Sequence, residues 1–181
     1  MRKTVPFFTR GIICFLLLVS YASLVQAANP ATINVTVTIQ NLSVSATGPI
    51  AFGTVVTSSA AVSGASSTVT NDGNVIETYS LDLTDPATWT AVQAAPVAAE
   101  EYCLSAMFNS IQPGVGDFAY ADHALSTTST ACSGTKFAGD QTGLSVPVTE
   151  TRALWFKFEA PTSTTVTTEQ TIVVTVTASA G

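Results

Sequence analysis

The chain has 181 residues and a formal net charge of −6, and only 10% of its residues are charged while 46% are hydrophobic. Three of its six basic residues lie within the first ten positions, so the remainder carries three basic side chains against twelve acidic ones. This balance excludes nucleic acid as a partner and disfavours anionic membrane surfaces, because both need clustered Lys or Arg.

The first 27 residues have the organisation of a secretory signal peptide. Arg2, Lys3 and Arg10 precede an apolar run at residues 11–19, and the sequence LVQA ends at the small residue Ala27. These features predict export and cleavage after Ala27, with no membrane span in the mature chain. A retained anchor is the alternative, which the short run disfavours because a spanning helix needs about 20 apolar residues.

The mature chain, residues 28–181, is long enough for one well-buried domain and short for two. Its formal charge of −9 is explained by solubility more simply than by an acidic binding site. Thr, Val and Ser dominate its composition, and β-branched residues pack well on a pleated surface but lose side-chain freedom in a helix. We therefore predict an all-β domain with no significant helix after signal cleavage.

Residues 67–83, STVTNDGNVIETYSLDL, contain two strand-like runs joined by a polar turn. The later run places one set of side chains on one face: Val75, Glu77, Tyr79, Leu81 and Leu83. This period of two is typical of a half-buried strand. The turn at residues 71–74 contains Asp-Gly between two Asn residues, which accept the backbone conformations of a tight turn. The stretch predicts a β-hairpin.

Other runs have the same period. They are Leu42, Val44 and Ala46; Ile50, Phe52 and Val56; Tyr102, Leu104, Ala106 and Phe108; Leu144, Val146 and Val148; Leu154, Phe156 and Phe158; and Ile172, Val174, Val176 and Ala178. Their spacing predicts a two-sheet antiparallel sandwich of about eight to ten strands, immunoglobulin-like or pilin-like in arrangement, in a single domain. Residues 110–142 lack the pattern, and so long an irregular segment is either functional or tied down.

The cleanest alternation lies at residues 31–40, directly after the predicted cleavage site. Ile33, Val35, Val37 and Ile39 fall on one face, and the phase of the pattern slips at Asn41. The favoured interpretation is the first strand of the domain's own sandwich, because N-terminal strands usually pair within their own domain. The alternative is a strand donated to an exposed sheet edge of a neighbouring subunit.

Export leaves two cysteines, Cys103 and Cys132, in an oxidising compartment. One pair allows one connectivity, so we predict a disulfide between them. The bond would close a loop of about 30 residues and stabilise the domain by about 3–4 kcal/mol in the chain-entropy model. The alternative is two free thiols, one of them a nucleophile, for which His123 would be the single possible imidazole base.

Common catalytic and cofactor motifs are absent from the mature sequence, which contains no HExxH, CxxC, Gly-rich phosphate loop or GxSxG. His123 beside Asp122 is more simply a solvated pair than part of a catalytic triad. Asp117, Asp122 and Asp140 share the irregular segment and could supply oxygen ligands to Ca²⁺, but they lack the spacing of an EF-hand loop. We therefore expect no enzymatic activity, no metal and no cofactor.

Several short motifs resemble a known family. IAFGTV at residues 50–55, a spacer rich in Ser and Ala, TVTN at residues 68–71 and the sequence YSL at residues 79–81 resemble the opening half of spore-coat-U-type secreted domains, relatives in outline of pilus subunits. The Thr and Val alternation at residues 171–177 is similar to their closing strand. Residues 69–83 are also similar, more weakly, to TasA/camelysin-type and WxL-type surface proteins. The resemblance implies a bacterial exported β-sandwich of the surface, fibre or adhesion kind, and it implies no catalytic residues.

Together these observations predict a secreted, non-catalytic structural or assembly protein of a bacterial cell surface, fibre, matrix or coat. Its expected partners are further copies of itself or other surface proteins, and it would pass through the periplasm in transit. The alternative is an adhesion or glycan- or protein-binding module. In that case the segment closed by the predicted disulfide would present Phe118, Tyr120 and His123 to the ligand.

Overall fold

Nine β-strands in two sheets form the regular structure of residues 30–181, the part of the chain that the computed structural model describes. The predicted signal peptide, residues 1–27, and its cleavage site lie outside the described residues. The chain divides into the units Met1–Thr38 and Ile39–Gly181, and all nine of these strands belong to the second unit. The prediction of an all-β sandwich with about eight to ten strands is confirmed.

The larger sheet contains six strands: β1 (Val44–Ala46), β2 (Ala60–Val62), β3 (Ser67–Asn71), β5 (Thr90–Ala91), β6 (Glu101–Phe108) and β8 (Thr151–Glu159). Their order is β1-β3-β8-β6-β5, with β2 also paired to β8. The smaller sheet contains three strands: β4 (Glu77–Thr84), β7 (Thr130–Ala131) and β9 (Val173–Ala180). Here β4 lies between β7 and β9. All pairs are antiparallel except β5 with β6.

The core lies between the two sheets, and β4 shows how the sequence builds it. Glu77, Tyr79, Leu81 and Leu83 are buried, whereas the intervening residues are half-buried. The predicted alternation along this strand is confirmed. Trp89 closes one end of the core, with its ring 5.8 Å from that of Phe158.

The predicted hairpin at residues 67–83 is wrong, because its two strands lie in different sheets. β3 pairs with β1 and β8, whereas β4 pairs with β7 and β9. The polar turn is a corner between the sheets. Its first residue, Asn71, is fully buried, and its Nδ2 donates to the carbonyl oxygens of Val75 and Val146, both at 2.9 Å. Alternation and turn composition indicate where strands and turns lie, but they do not determine which strands pair.

β6 is covered on both faces. As predicted, Tyr102, Leu104, Ala106 and Phe108 pack between the sheets. On the opposite face the side chains of Cys103, Ser105 and Met107 are also buried. The irregular segment covers this second face, since Ala124 forms a bridge with Ser105 and the rings of Phe118 and Tyr120 lie over Lys157 of the neighbouring β8.

Residues 110–142 contain a 3₁₀ turn at Val115–Asp117, a four-residue helix α1 at Tyr120–His123 and the short β7. Leu125 and Phe137 from this segment are buried in the core cluster. At its two ends, the Asp140 carboxylate accepts the Ser110 N–H at 2.6 Å, and Asn109 Oδ1 accepts the Asp140 N–H at 2.7 Å. The irregular segment was expected to be either functional or tied down. Burial and hydrogen bonds tie it down.

Residues 31–40 contain no strand, although their alternation predicted one. Ile33, Val35, Val37 and Ile39 are between 78% and 87% exposed. The run of Leu144, Val146 and Val148 also forms no strand, and Val146 makes only an isolated bridge with Glu77. Among residues 30–181, no helix has the length and apolar character needed to cross a membrane.

Replacing Leu125 by Ala tests whether burial ties down the irregular segment. We expect the free energy of unfolding to fall by about 2–5 kcal/mol, because a fully buried aliphatic side chain is lost and a cavity remains. Ile111→Ala is the matched control, since Ile111 is 70% exposed in the same segment and its loss should cost less than about 0.5 kcal/mol. Denaturant titration measures both. Equal effects would show that the segment is held mainly by its hydrogen bonds.

Candidate functional site

The structure brings together the three residues that were predicted to recognise a ligand, but it buries two of them. Phe118 and His123 are 5% and 6% exposed, and Tyr120 is half-buried. The rings of Phe118 and His123 meet edge to face, with centroids 5.9 Å apart. Only Tyr120 therefore offers part of its side chain to a ligand from outside.

A buried ion pair explains why these aromatic rings gather. Lys157 Nζ lies 2.6 Å from Glu159 Oε1, 4.9 Å from the centre of the Tyr120 ring and 5.7 Å from that of Phe118. The Tyr120 hydroxyl donates to Glu159 Oε2 at 2.7 Å. Burial, followed by this hydrogen bond, raises the pKa of Tyr120 to about 12. The cluster thus satisfies its own charges, as a buried pair must, and the aromatic rings act as a cover for Lys157.

His123 uses both of its ring nitrogens within the fold. Nδ1 accepts the N–H of Ala119 at 2.9 Å, and Nε2 lies 3.1 Å from the carbonyl oxygen of Ala138. A ring that accepts at Nδ1 donates at Nε2, which is the neutral tautomer. Neither nitrogen is free to serve as a general base in this arrangement.

Two of the aspartates in this segment accept hydrogen bonds from nearby backbone N–H groups. Asp117 Oδ2 accepts the N–H of Gly114 at 2.7 Å, and Asp140 accepts the N–H of Ser110. Residues 30–181 contain no group of three or more His, Cys, Asp or Glu side chains placed to hold a metal ion. The three aspartates that were considered as calcium ligands are therefore not gathered into one site.

Cys103 and Cys132 are free, buried thiols, so the predicted disulfide is not formed. Cys103 lies on the outer face of β6, where its sulfur is 3.9 Å from Ser105 Oγ. Cys132 belongs to the core between the sheets, and its backbone N–H donates to the carbonyl oxygen of Tyr79. Because successive residues of a strand point to opposite faces, the body of the larger sheet separates the two sulfurs.

The corner at residues 71–77 carries the second candidate site, because it holds the N-terminal chain where it enters the domain. Asn74 Oδ1 accepts the N–H of Asn41 at 2.8 Å, and Asn74 Nδ2 donates to the carbonyl oxygen of Ile39 at 2.8 Å. The backbone N–H of Asn74 also donates to the Asn41 carbonyl oxygen at 3.1 Å. One side chain therefore pairs with this segment much as a neighbouring strand would.

Glu77 completes this attachment from inside the domain. Its Oε1 accepts the N–H of Ser43 at 2.7 Å, and its side chain is fully buried. Neither its Oε2 nor the Tyr79 hydroxyl has a hydrogen-bond partner among the described residues. Burial, followed by the Glu77 charge, raises the pKa of Tyr79 to about 12. A buried carboxylate that bonds the first residues of the domain makes the attachment part of the fold.

The N-terminal arm, defined as residues 31–40, directly precedes this attachment in the sequence. Its four aliphatic side chains share one face of the alternation and are exposed. Sequence reasoning identified the arm, but it missed Asn74 and Glu77 as the residues that hold its base. The available signal was the polar turn itself, since four consecutive turn-forming residues beside a strand offer many side-chain hydrogen-bonding groups.

A small pocket of about 180 Å³ opens elsewhere on the domain, lined by Ser58, Glu159 and Thr162 among others. Pockets for drug-sized ligands span about 300–1,000 Å³ and are mostly apolar. Both Glu159 oxygens are already used by Lys157 and Tyr120. The pocket therefore gives little support to a small-molecule site.

No protein-family model, no curated protein and no solved structure matches this chain. The likeness to spore-coat-U domains stays a prediction from short motifs. The surfaces and contacts of the chain's own residues are therefore the basis of the functional proposal below.

Alkylation tests the state of the two thiols. Burial raises the pKa of Cys103 to about 11 and that of Cys132 to about 12, so both remain protonated at pH 8. Because the thiolate is the nucleophile, native protein purified without reductant should react with iodoacetamide at least about 100-fold more slowly than unfolded protein. After unfolding, both thiols should be labelled. If the two cysteines of the unfolded protein are labelled only after reduction, the predicted disulfide is present and the free thiols are wrong.

Asn74→Ala tests the attachment of the arm. The variant loses both side-chain hydrogen bonds to the segment. We therefore expect the free energy of unfolding to fall by about 1–2 kcal/mol and hydrogen exchange at the amide of Asn41 to become faster. Asn34→Ala is the matched control, because it makes the same substitution within the exposed arm. Residue-resolved exchange measures the difference. Equal exchange in both variants would show that Glu77 and the backbone hold the segment unaided.

Proposed function

We propose that this protein is a secreted, non-catalytic structural or assembly protein of a bacterial surface, fibre, matrix or coat, which associates with further copies of itself. The observation that carries the proposal is the N-terminal arm. It presents four aliphatic side chains at a strand period, exposed, next to an attachment that belongs to the folded domain. The proposal includes export through the predicted signal peptide, for which the support is the sequence of residues 1–27.

Exposure of these side chains has an energetic consequence. Burial of a Val or Ile side chain stabilises by about 1.5–3 kcal/mol, so four of them in one row offer a large gain to a surface that covers them. An extended segment can also form main-chain hydrogen bonds along a sheet edge of its partner. Both contributions become available when the arm adds to another folded domain, which is the basis of self-association.

The remainder of the domain supports a structural role more than a recognition role. The predicted binding residues Phe118 and His123 are buried, and the ion pair that they help to cover is internally satisfied. A glycan-binding or adhesive function would have to rely on Tyr120 and exposed loops. Self-association uses exposed apolar groups that have no other role within the described domain, and we therefore prefer it.

Val35→Thr combined with Val37→Thr tests the proposal in the chain that begins at Ala28. Thr keeps the branched shape and the strand propensity of Val but adds a hydroxyl that is costly to bury. Wild-type protein should form larger species as its concentration rises, and the double variant should need at least about tenfold more protein to reach the same size, equivalent to about 1.4 kcal/mol. Light scattering after size-exclusion chromatography measures this.

Val97→Thr is the control, because Val97 is 82% exposed but lies outside the arm. It should associate like the wild type. A wild-type protein that stays monomeric at every concentration would overturn the proposal, and specific binding of that monomer to a glycan array would favour the adhesive function.

A further inference from the structure

β9 is an edge strand without the usual protection. It runs for eight residues, VVTVTASA, and contains neither a charged residue nor a Pro. β4 pairs with it along its whole length on one side, and no strand of the described chain pairs with it on the other. Proteins usually blunt such edges with charges, Pro, bulges or a covering segment. A long, regular and neutral edge therefore indicates a surface that accepts another strand.

The core also reaches the surface along this edge. Val174, Val176 and Ala178 pack against the core cluster but remain only partly buried. β1, the edge strand of the larger sheet, lies close to β9, and its Val44 is likewise partly buried. Apolar side chains are therefore incompletely covered at one side of the sandwich, where β1 is the edge strand of the larger sheet and β9 that of the smaller sheet.

The N-terminal arm has the properties that this edge requires. Its ten residues, ATINVTVTIQ, contain no charge and no Pro, and at about 3.3 Å per residue they span the eight residues of β9. Its row of Ile33, Val35, Val37 and Ile39 has the same period as the half-buried row of β9. The arm offers an exposed apolar row, and β9 offers an edge that would bury this row and pair with its backbone.

We propose that the free edge of β9 is the acceptor for the N-terminal arm of a second copy of this chain. The inference rests on the proposed function and names its partner surface. The added strand would extend the smaller sheet to four strands and turn its apolar row towards Val174, Val176 and Ala178. Copies joined in this head-to-tail manner form an open chain when the rotation between neighbours does not close a ring, and only its two end copies then keep a free arm or a free β9 edge.

The direction of the added strand favours a second copy over the arm's own domain. Gly181, directly after β9, donates its N–H to the Ile76 carbonyl oxygen, while Asn74 holds Ile39. Ile39, near the C-terminal end of the arm, and the end of β9 therefore lie at the same corner. An arm lying along its own β9 would have to run parallel to it, whereas an arm from another copy is free to run antiparallel, which is the more stable pairing per residue.

The test uses the Val35→Thr, Val37→Thr chain as a monomeric acceptor and a synthetic peptide of residues 31–40 as donor. We expect the peptide to slow hydrogen exchange at amides of β9, measured residue by residue. Adding Val174→Thr and Val176→Thr to the acceptor should weaken peptide binding by at least about tenfold, equivalent to about 1.4 kcal/mol. Val173→Thr is the control on the outward face of the same strand and should change binding less than twofold.

The other possible outcomes distinguish the β9 acceptor, the second copy and the proposed function. If the wild type associates but the peptide protects another edge, or if the Val174→Thr, Val176→Thr variant and the Val173→Thr control have equal effects, β9 is not the acceptor and the proposed function still stands. If the wild type is a monomer and its own arm protects the β9 amides, the arm pairs within its own chain and not with a second copy. Wild-type protein that does not associate, together with a peptide that does not bind, would overturn both. Denaturant titration of each acceptor variant confirms that it is folded.

Discussion

The buried amide of Asn71 constrains the corner at which the chain crosses between the two sheets. An unsatisfied buried donor or acceptor costs about 1–3 kcal/mol, and Asn71 avoids that cost by bonding the backbone of its own turn and of Val146. These bonds give the corner between the sheets one shape. That shape sends β4 into the second sheet with Tyr79 and Leu81 in the core, and it places Glu77 where it bonds the N–H of Ser43.

A second constraint comes from β6 and β8, whose outer face carries charge and is nevertheless buried. Lys157 and Glu159 can stay there because they pair with each other and because two aromatic rings exclude water from the ammonium group. The irregular segment is therefore a structural cover for the larger sheet. A row of exposed apolar side chains lies elsewhere, in the N-terminal arm, and β9 carries a half-buried row.

Period and composition were sufficient to predict the strands whose side chains alternate, such as β4 and β6, because alternation is a property of a single strand. They could not predict pairing, which depends on contacts distant in sequence, and so β3 and β4 were joined as a hairpin. The same limit applies to the candidate site. Phe118 and Tyr120 were predicted as ligand-binding residues, but their rings lie over Lys157, nearly forty positions later in the sequence. The disulfide was predicted from the cysteine count, which does not show that Cys103 lies on the outer face of β6 while Cys132 lies in the core.

Gly73 limits the substitutions that the corner between the sheets can accept. A Cβ at this position would lie 2.6 Å from the carbonyl oxygen of Asn41, closer still to Glu77 Oε1 and 3.2 Å from Asn71 Oδ1. A side chain at this position would displace the Asn41 backbone, the buried Glu77 carboxylate or the buried Asn71 amide. The neighbouring Asp72, in contrast, is exposed. One glycine therefore couples two traits that selection could otherwise change separately, the crossing between the sheets and the point from which the arm departs.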